Sequence, residues 1–113
     1  MAFISFALTK EEFLSGIKKQ TRRDWKLSHH RNWVKWYDEG KRIHDAYDKV
    51  PFASGEKIGQ FKLTMRPYRQ AIQDMNEWDL YEEGDMCKTL EEYCDLVKLP
   101  GSHIVSVIHF VKL

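Results

Sequence analysis

The stretch GIKKQTRR, Gly16 to Arg23, sets Lys18, Thr21 and Arg23 at a spacing that a short strand can use. Side chains alternate along a strand, so Lys19, Thr21 and Arg23 share one face and Gln20 and Arg22 the other, with Lys18 just ahead. A threonine hydroxyl is a poor nucleophile until a base takes its proton. A lysine whose ammonium is stripped of water can have its pKa lowered enough to be that base, and further cations nearby push the same way. A carboxylate across a cleft could orient water or pass a proton to a leaving amine. Such a set suits metal-independent hydrolysis of an amide, and it equally suits binding without chemistry. Taken alone, Lys18 and Thr21 also fit an exposed lysine and a threonine present for its strand propensity.

Binding asks for less. Trp25, Trp33, Trp36 and Tyr37 are interleaved with Lys26, Arg31 and Lys35, the mixture with which single-stranded nucleic acids are held, cations meeting phosphates and rings stacking on bases. Trp33 and Trp36 are spaced to share one helical face, which points to core packing. Trp25 is then the expected exposed stacker. Lys19, Arg22, Arg23, Trp25 and Lys26 form the candidate ligand-binding set. His29 and His30 are adjacent and read as capping or surface residues rather than metal ligands. His44, His103 and His109 read as structural residues on strands.

These groups need elements to position them. Phe3 to Leu8 reads as a strand. Thr9 with Glu12 forms a capping box, Phe13 and Leu14 supply the buried side of a brief helix, and Gly16 stops it. Lys19 to Arg23 reads as a strand and Ser28 to Asp38 as a helix ending before Gly40. Arg42 to Tyr47 suggests a strand, VPFASGEK a loop, and Lys57 to Met65 a half-buried strand after which Pro67 weakens pairing. Asn76 caps a helix to Glu83 that Gly84 stops, and Thr89 with Glu92 opens another that runs to Leu99. The closing HIVSVIHFVKL is rich in β-branched and aromatic residues and reads as the clearest strand. This order predicts an α+β domain on a small mixed sheet or barrel.

The 113 residues suit one domain, 1–113, and their 42% hydrophobic and 31% charged content is ordinary for a globular protein. FISFAL stops at Lys10, too short for a membrane span and without a basic leader, so a cytoplasmic location is expected. Cys87 and Cys94, if on one helix, lie about 10 Å apart, too far for a disulfide. No CxxC or HExxH pattern occurs, so neither a metal nor a cofactor is expected. Charge is balanced at +1 overall but not locally. Residues 18 to 35 hold seven Lys or Arg against Asp24, and residues 73 to 95 hold nine acids against Lys88. Either the basic end meets an anionic partner or the two segments neutralise each other in the fold.

GIKKQTRR also resembles the GxKxxTxR signature of the ASCH (activating signal cointegrator homology) domain family, a branch of the PUA-like superfamily, with Gly16, Lys18, Thr21 and Arg23 in its four defined positions. DMNEWDLYEEGDMCKTLEEYCDLV resembles a later region of that family, in which an acidic EG pair, here Glu83 and Gly84, ends a short helix before a "leucine, acid, acid, aromatic" helix, here Leu90 to Tyr93. VSVIHFVKL is similar to the family's closing strand. The resemblance implies a small PUA-like β-barrel of about five to six mixed strands flanked by three to four short helices, with a cleft between the signature strand and the EG helix. It implies a module that binds RNA or a modified nucleobase or nucleoside. One small bacterial group of the family hydrolyses the acetyl amide of acetylated cytidine, and by motif its catalytic residues fall on Lys18, Thr21 and Glu83. Glu82 stands next to Glu83 and is the alternative carboxylate. Both sit at the carboxyl end of a predicted helix, where the macrodipole disfavours anions by roughly 0.3 to 1 kcal/mol, which suggests a purpose beyond solubility such as pairing with the basic strand.

Overall fold

A computed structural model describes residues 2–113. In chain order the elements are β1 (Phe3–Ser5), α1 (Lys10–Ser15), β2 (Gln20–Arg23), α2 (Leu27–Asp38), β3 (Ile43–Tyr47), β4 (Lys57–Leu63), β5 (Tyr68–Ala71), α3 (Glu77–Glu82), α4 (Leu90–Val97) and β6 (Ile104–Lys112). Among the described residues these make an α+β fold on a six-stranded mixed sheet with four α-helices. Among the described residues no helix is long and apolar enough to cross a membrane.

β6 organises the sheet because it is long and apolar on both faces. Its residues Ser106 to His109 pair antiparallel with β2 along one edge. Along the other edge it pairs first with β5 and then, at Phe110 to Lys112, with β4. β4 continues to β3, and β3 to β1, the last pair being parallel. The strand over 68–71 escapes sequence reading. β4 ends at Leu63, short of Pro67, and the proline does not end pairing, since β5 starts directly after it on the same neighbour, β6.

Short-range signals account for most helix ends. Gly16 has φ 81°, a left-handed conformation that stops α1. The turn lets the Lys18 amide donate to the Glu12 carbonyl at 3.1 Å and the Lys19 amide to the Glu82 carbonyl at 2.7 Å, carrying the chain across to α3. Asn76 caps α3 in a reciprocal box with Asp79, and the Thr89 hydroxyl accepts from the Glu92 amide at the start of α4. The box expected of Thr9 and Glu12 does not form, because Thr9 lies at φ −130°, ψ 30° and its side chain makes no cap bond. β1 is likewise shorter than Phe3 to Leu8. The loop after β3 holds a short 3-10 turn, Pro51–Ala53.

Two apolar clusters fill the interior. One joins Phe6, Phe13, Trp33, Phe61 and Phe110, with Trp25 and Trp36 against its margin. The other joins Ile72, Met75, Leu80, Tyr93 and Val105 beneath α3 and α4. Cys87 precedes α4 and Cys94 lies within it, so the two do not share a helix, and both are free thiols.

Candidate functional site

Lys18 is 3% exposed, although it ends in an ammonium. Its Nζ donates to the Glu83 main-chain oxygen and stands 3.9 Å from Glu83 Oε1. Burial pulls the Lys18 pKa below its ordinary 10.5. Glu83 opposes that fall, while Arg23 and Arg22 deepen it. The helix end on which Glu83 sits supplies the carbonyl, and the turn at Gly16 aims the lysine at it.

The Glu83 carboxylate is held from three sides. Arg22 Nη1 donates to its Oε2 at 3.3 Å, and the Tyr93 hydroxyl donates to Oε1 at 3.1 Å. Burial and then the negative charge of Glu83 raise the Tyr93 pKa far above the usual phenol range, so the hydroxyl stays a donor. Glu82 is occupied elsewhere: its Oε1 accepts from Gln20 Nε2 at 2.7 Å. Of the two carboxylates, Glu83 therefore meets Lys18.

Period two holds along β2. Gln20 and Arg22 lie on the face toward α3, where Gln20 bonds Asp79 and Glu82, and Arg22 bonds Gln20, Gln70 and Glu83. The Arg22 side chain is 1% exposed and also lies 3.7 Å from Asp79. Arg22 is thus an interior ion-pair partner rather than a free cation meeting whatever surrounds a ligand. The basic strand and the acidic helix neutralise each other here, which answers part of the charge asymmetry.

On the other face, Arg23 Nε donates to Thr21 Oγ1 at 3.0 Å, and Arg23 Nη2 donates to the Ser5 carbonyl at 2.8 Å. The guanidinium also lies 5.5 Å from the Phe6 ring centroid. Thr21 is 2% exposed. Among the described residues, Arg23 has no carboxylate at ion-pair distance.

Lys18, Thr21, Arg22, Arg23 and Glu83 all line one cavity of about 340 Å³ between β2, α3 and α4. Its wall is apolar, with Phe6, Leu80 and Val97 inside and Leu8, Met86 and Leu96 exposed at the margin. A ligand there would meet hydrogen-bonding groups on one side and greasy surface on the other.

The remaining predicted binders lie apart. Lys19 and Lys26 are exposed and outside this cavity. Trp25 is partly buried rather than a free stacker: its ring lies 5.1 Å from Trp33, nearly parallel at 19°, and it lines an adjoining hollow. His30 is not a surface residue either, since it is buried and its Nδ1 lies 2.8 Å from Ser106 Oγ on β6. His103 is in the turn before β6, against Asp24. Sequence reading gave no role to Gln20 or Tyr93. The signal for Tyr93 was present, as the aromatic that closes Leu90 to Tyr93. Gln20 offered only its shared face with Arg22. Among the described residues no three His, Cys, Asp or Glu side chains gather where they could hold a metal ion.

A scan against protein-family models finds no match for this chain, and searches of curated proteins and of solved structures find none.

Proposed function

We propose that this chain is an ASCH-type module of the PUA-like superfamily that takes a modified nucleobase or nucleoside, free or within RNA, into the cavity beside β2. One observation carries the reading: Lys18, Thr21 and Arg23 from one short stretch and Glu83 from 60 residues further on converge on a cavity of about 340 Å³. That volume suits one base with its sugar, polar edge toward the signature residues and rings against Phe6 and Leu80. The barrel reading is supported by Arg23, whose hydrogen bond to Ser5 links β2 to β1, the two ends of the strand path. Calorimetric titration with acetylcytidine and cytidine tests the binding. Saturable binding weakened about tenfold or more by Thr21→Val is expected, because the valine leaves the ligand's polar edge unpaired. No saturable heat with either nucleoside overturns it.

A second reading rests on the buried ammonium. Lys18 sits in a desolvated site beside two arginines with its pKa lowered, the condition a general base needs. Lys18 would take the Thr21 proton, and Thr21 Oγ would form an ester with the acetyl carbon as the C–N bond breaks. Glu83 would relay that proton from Lys18 to the departing amine, and water would then attack the ester, giving one proton back to Thr21 Oγ as acetate leaves. Chromatography should show cytidine and acetate appearing in equal amounts, with the rate lost in Lys18→Met. No release of cytidine, or an unchanged rate in that variant, removes the hydrolase reading and leaves binding standing.

A further inference from the structure

Arg23 does not serve the first cavity alone. It also lines a second hollow of about 450 Å³ on the far side of the Arg23–Ser5 link, whose other walls include Phe3, Trp25, His29, Trp36 and Val50. Ser5 lines both as well, so the two spaces adjoin across one guanidinium and one strand end. Their chemistry differs. The first has polar groups at its base, whereas the second is mainly rings.

Arg23 differs from its cationic neighbours in its partners. Lys18 and Arg22 reach Glu83, but Arg23 spends Nε on Thr21 and Nη2 on a main-chain oxygen, and Nη1 has no hydrogen bond among the described residues. The charge of Glu83 reaches Arg23 from beyond ion-pair distance, so an anion arriving at Nη1 would make a charge-assisted hydrogen bond of the kind arginine forms with phosphate oxygens. Next to it, Trp25 lines the same hollow and is held in place by its neighbours. Trp33 stacks on its ring with centroids 5.1 Å apart, the His29 ring meets it at 63° with centroids 4.6 Å apart, and Arg69 Nη1 donates to the Trp25 carbonyl at 2.9 Å.

We propose that the site reads a dinucleotide step of single-stranded nucleic acid: one base in the first cavity, the connecting phosphodiester on Arg23, and the neighbouring base against Trp25 in the second hollow. The proposal rests on the reading of the first cavity as a base site and extends it from a nucleoside to a strand. Lys26, exposed at the start of α2, follows Trp25 directly in the chain.

The test compares, on the intact protein, the affinities of acetylcytidine and of dinucleoside monophosphates joining acetylcytidine to adenosine through its 3′ or its 5′ oxygen. One of the two dinucleoside monophosphates should bind roughly five- to hundredfold tighter than the nucleoside, the range expected for one stacked base. Its affinity should fall with salt with a slope of about −0.7, the value for one neutralised phosphate on a single strand, while the nucleoside's should not. Trp25→Leu should abolish the gain and leave nucleoside affinity intact. Trp25→Phe, which keeps a ring against Trp33, should retain most of it and guards against a folding defect. The proposal is overturned if neither dinucleoside monophosphate exceeds the nucleoside, or if the gain survives Trp25→Leu. In either case nucleoside binding keeps the first-cavity reading alive. Absence of binding by all three probes ends both.

Discussion

Lys18 and Glu83 meet twice: the lysine ammonium donates to the Glu83 main-chain oxygen and stands 3.9 Å from the carboxylate of the same residue. The double contact ties the first residues after α1 to the end of α3 and leaves Glu83 serving Lys18, Arg22 and Tyr93 together. Fold and candidate chemistry therefore share these atoms.

Glu83→Gln leaves two cations, on Lys18 and Arg22, buried without their shared counter-charge. A loss of about 3 to 5 kcal/mol in unfolding free energy is expected, measured by urea denaturation. Lys18→Met should cost far less, because Glu83 keeps Arg22 and Tyr93. Equal losses in the two variants would contradict the sharing.

The lowered Lys18 pKa sets a direction for pH dependence. Between its folded pKa and the ordinary 10.5, the unfolded chain binds a proton that the folded chain does not. Stability therefore rises with pH across that window. The difference in stability between the wild type and Lys18→Met should shift in favour of the wild type as pH climbs from 7 toward 10. If Lys18 acts as the base, hydrolysis should climb over the same range and level off before 10.5.

His30, His44 and His109 all have pKa values below the ordinary 6.5, chiefly through burial. Their neutral forms are favoured in the fold, so the stability they contribute is complete above about 6.5 and is lost as pH falls through their folded values. Denaturation midpoints at pH 7, 6 and 5 should decline. His30→Gln, able to keep a hydrogen bond to Ser106, should flatten part of that decline; an unaltered slope would place the acid sensitivity elsewhere.

Gly16→Ala puts a side chain on a left-handed residue, φ 81°, with open space around it. The cost is then conformational, about 1 to 2 kcal/mol. Because Gly16 aims Lys18 at Glu83, ligand affinity should fall along with the thermal midpoint. Loss of stability with unchanged affinity would show that the turn does not set the lysine.

Lys19→Glu and Lys26→Glu touch exposed side chains outside the first cavity. Nucleoside affinity should stay within about twofold of the wild type, while association with longer single strands slows and loses part of its salt dependence. A collapse of nucleoside affinity would mean that the basic stretch acts as one patch.

What the amino-acid sequence determined by itself is local. Gly16, Asn76 and Thr89 act on their own turns through one glycine conformation and a few short hydrogen bonds, and β6 announces itself by composition. Alternation along β2 correctly separates Thr21 and Arg23 from Gln20 and Arg22, because side-chain direction in a strand follows from backbone geometry alone. It cannot say what each face meets. That Arg22 turns inward to Glu83, that Trp25 is half covered by Trp33, and that His30 finds Ser106 depends on partners 61, 8 and 76 positions away. Thr9 shows the converse, a local signal left unused at its own helix end. The choice between Glu82 and Glu83 belongs to the tertiary structure for the same reason: adjacent residues at a helix end point in different directions, and only the docking of β2 against α3 decides which one Lys18 reaches.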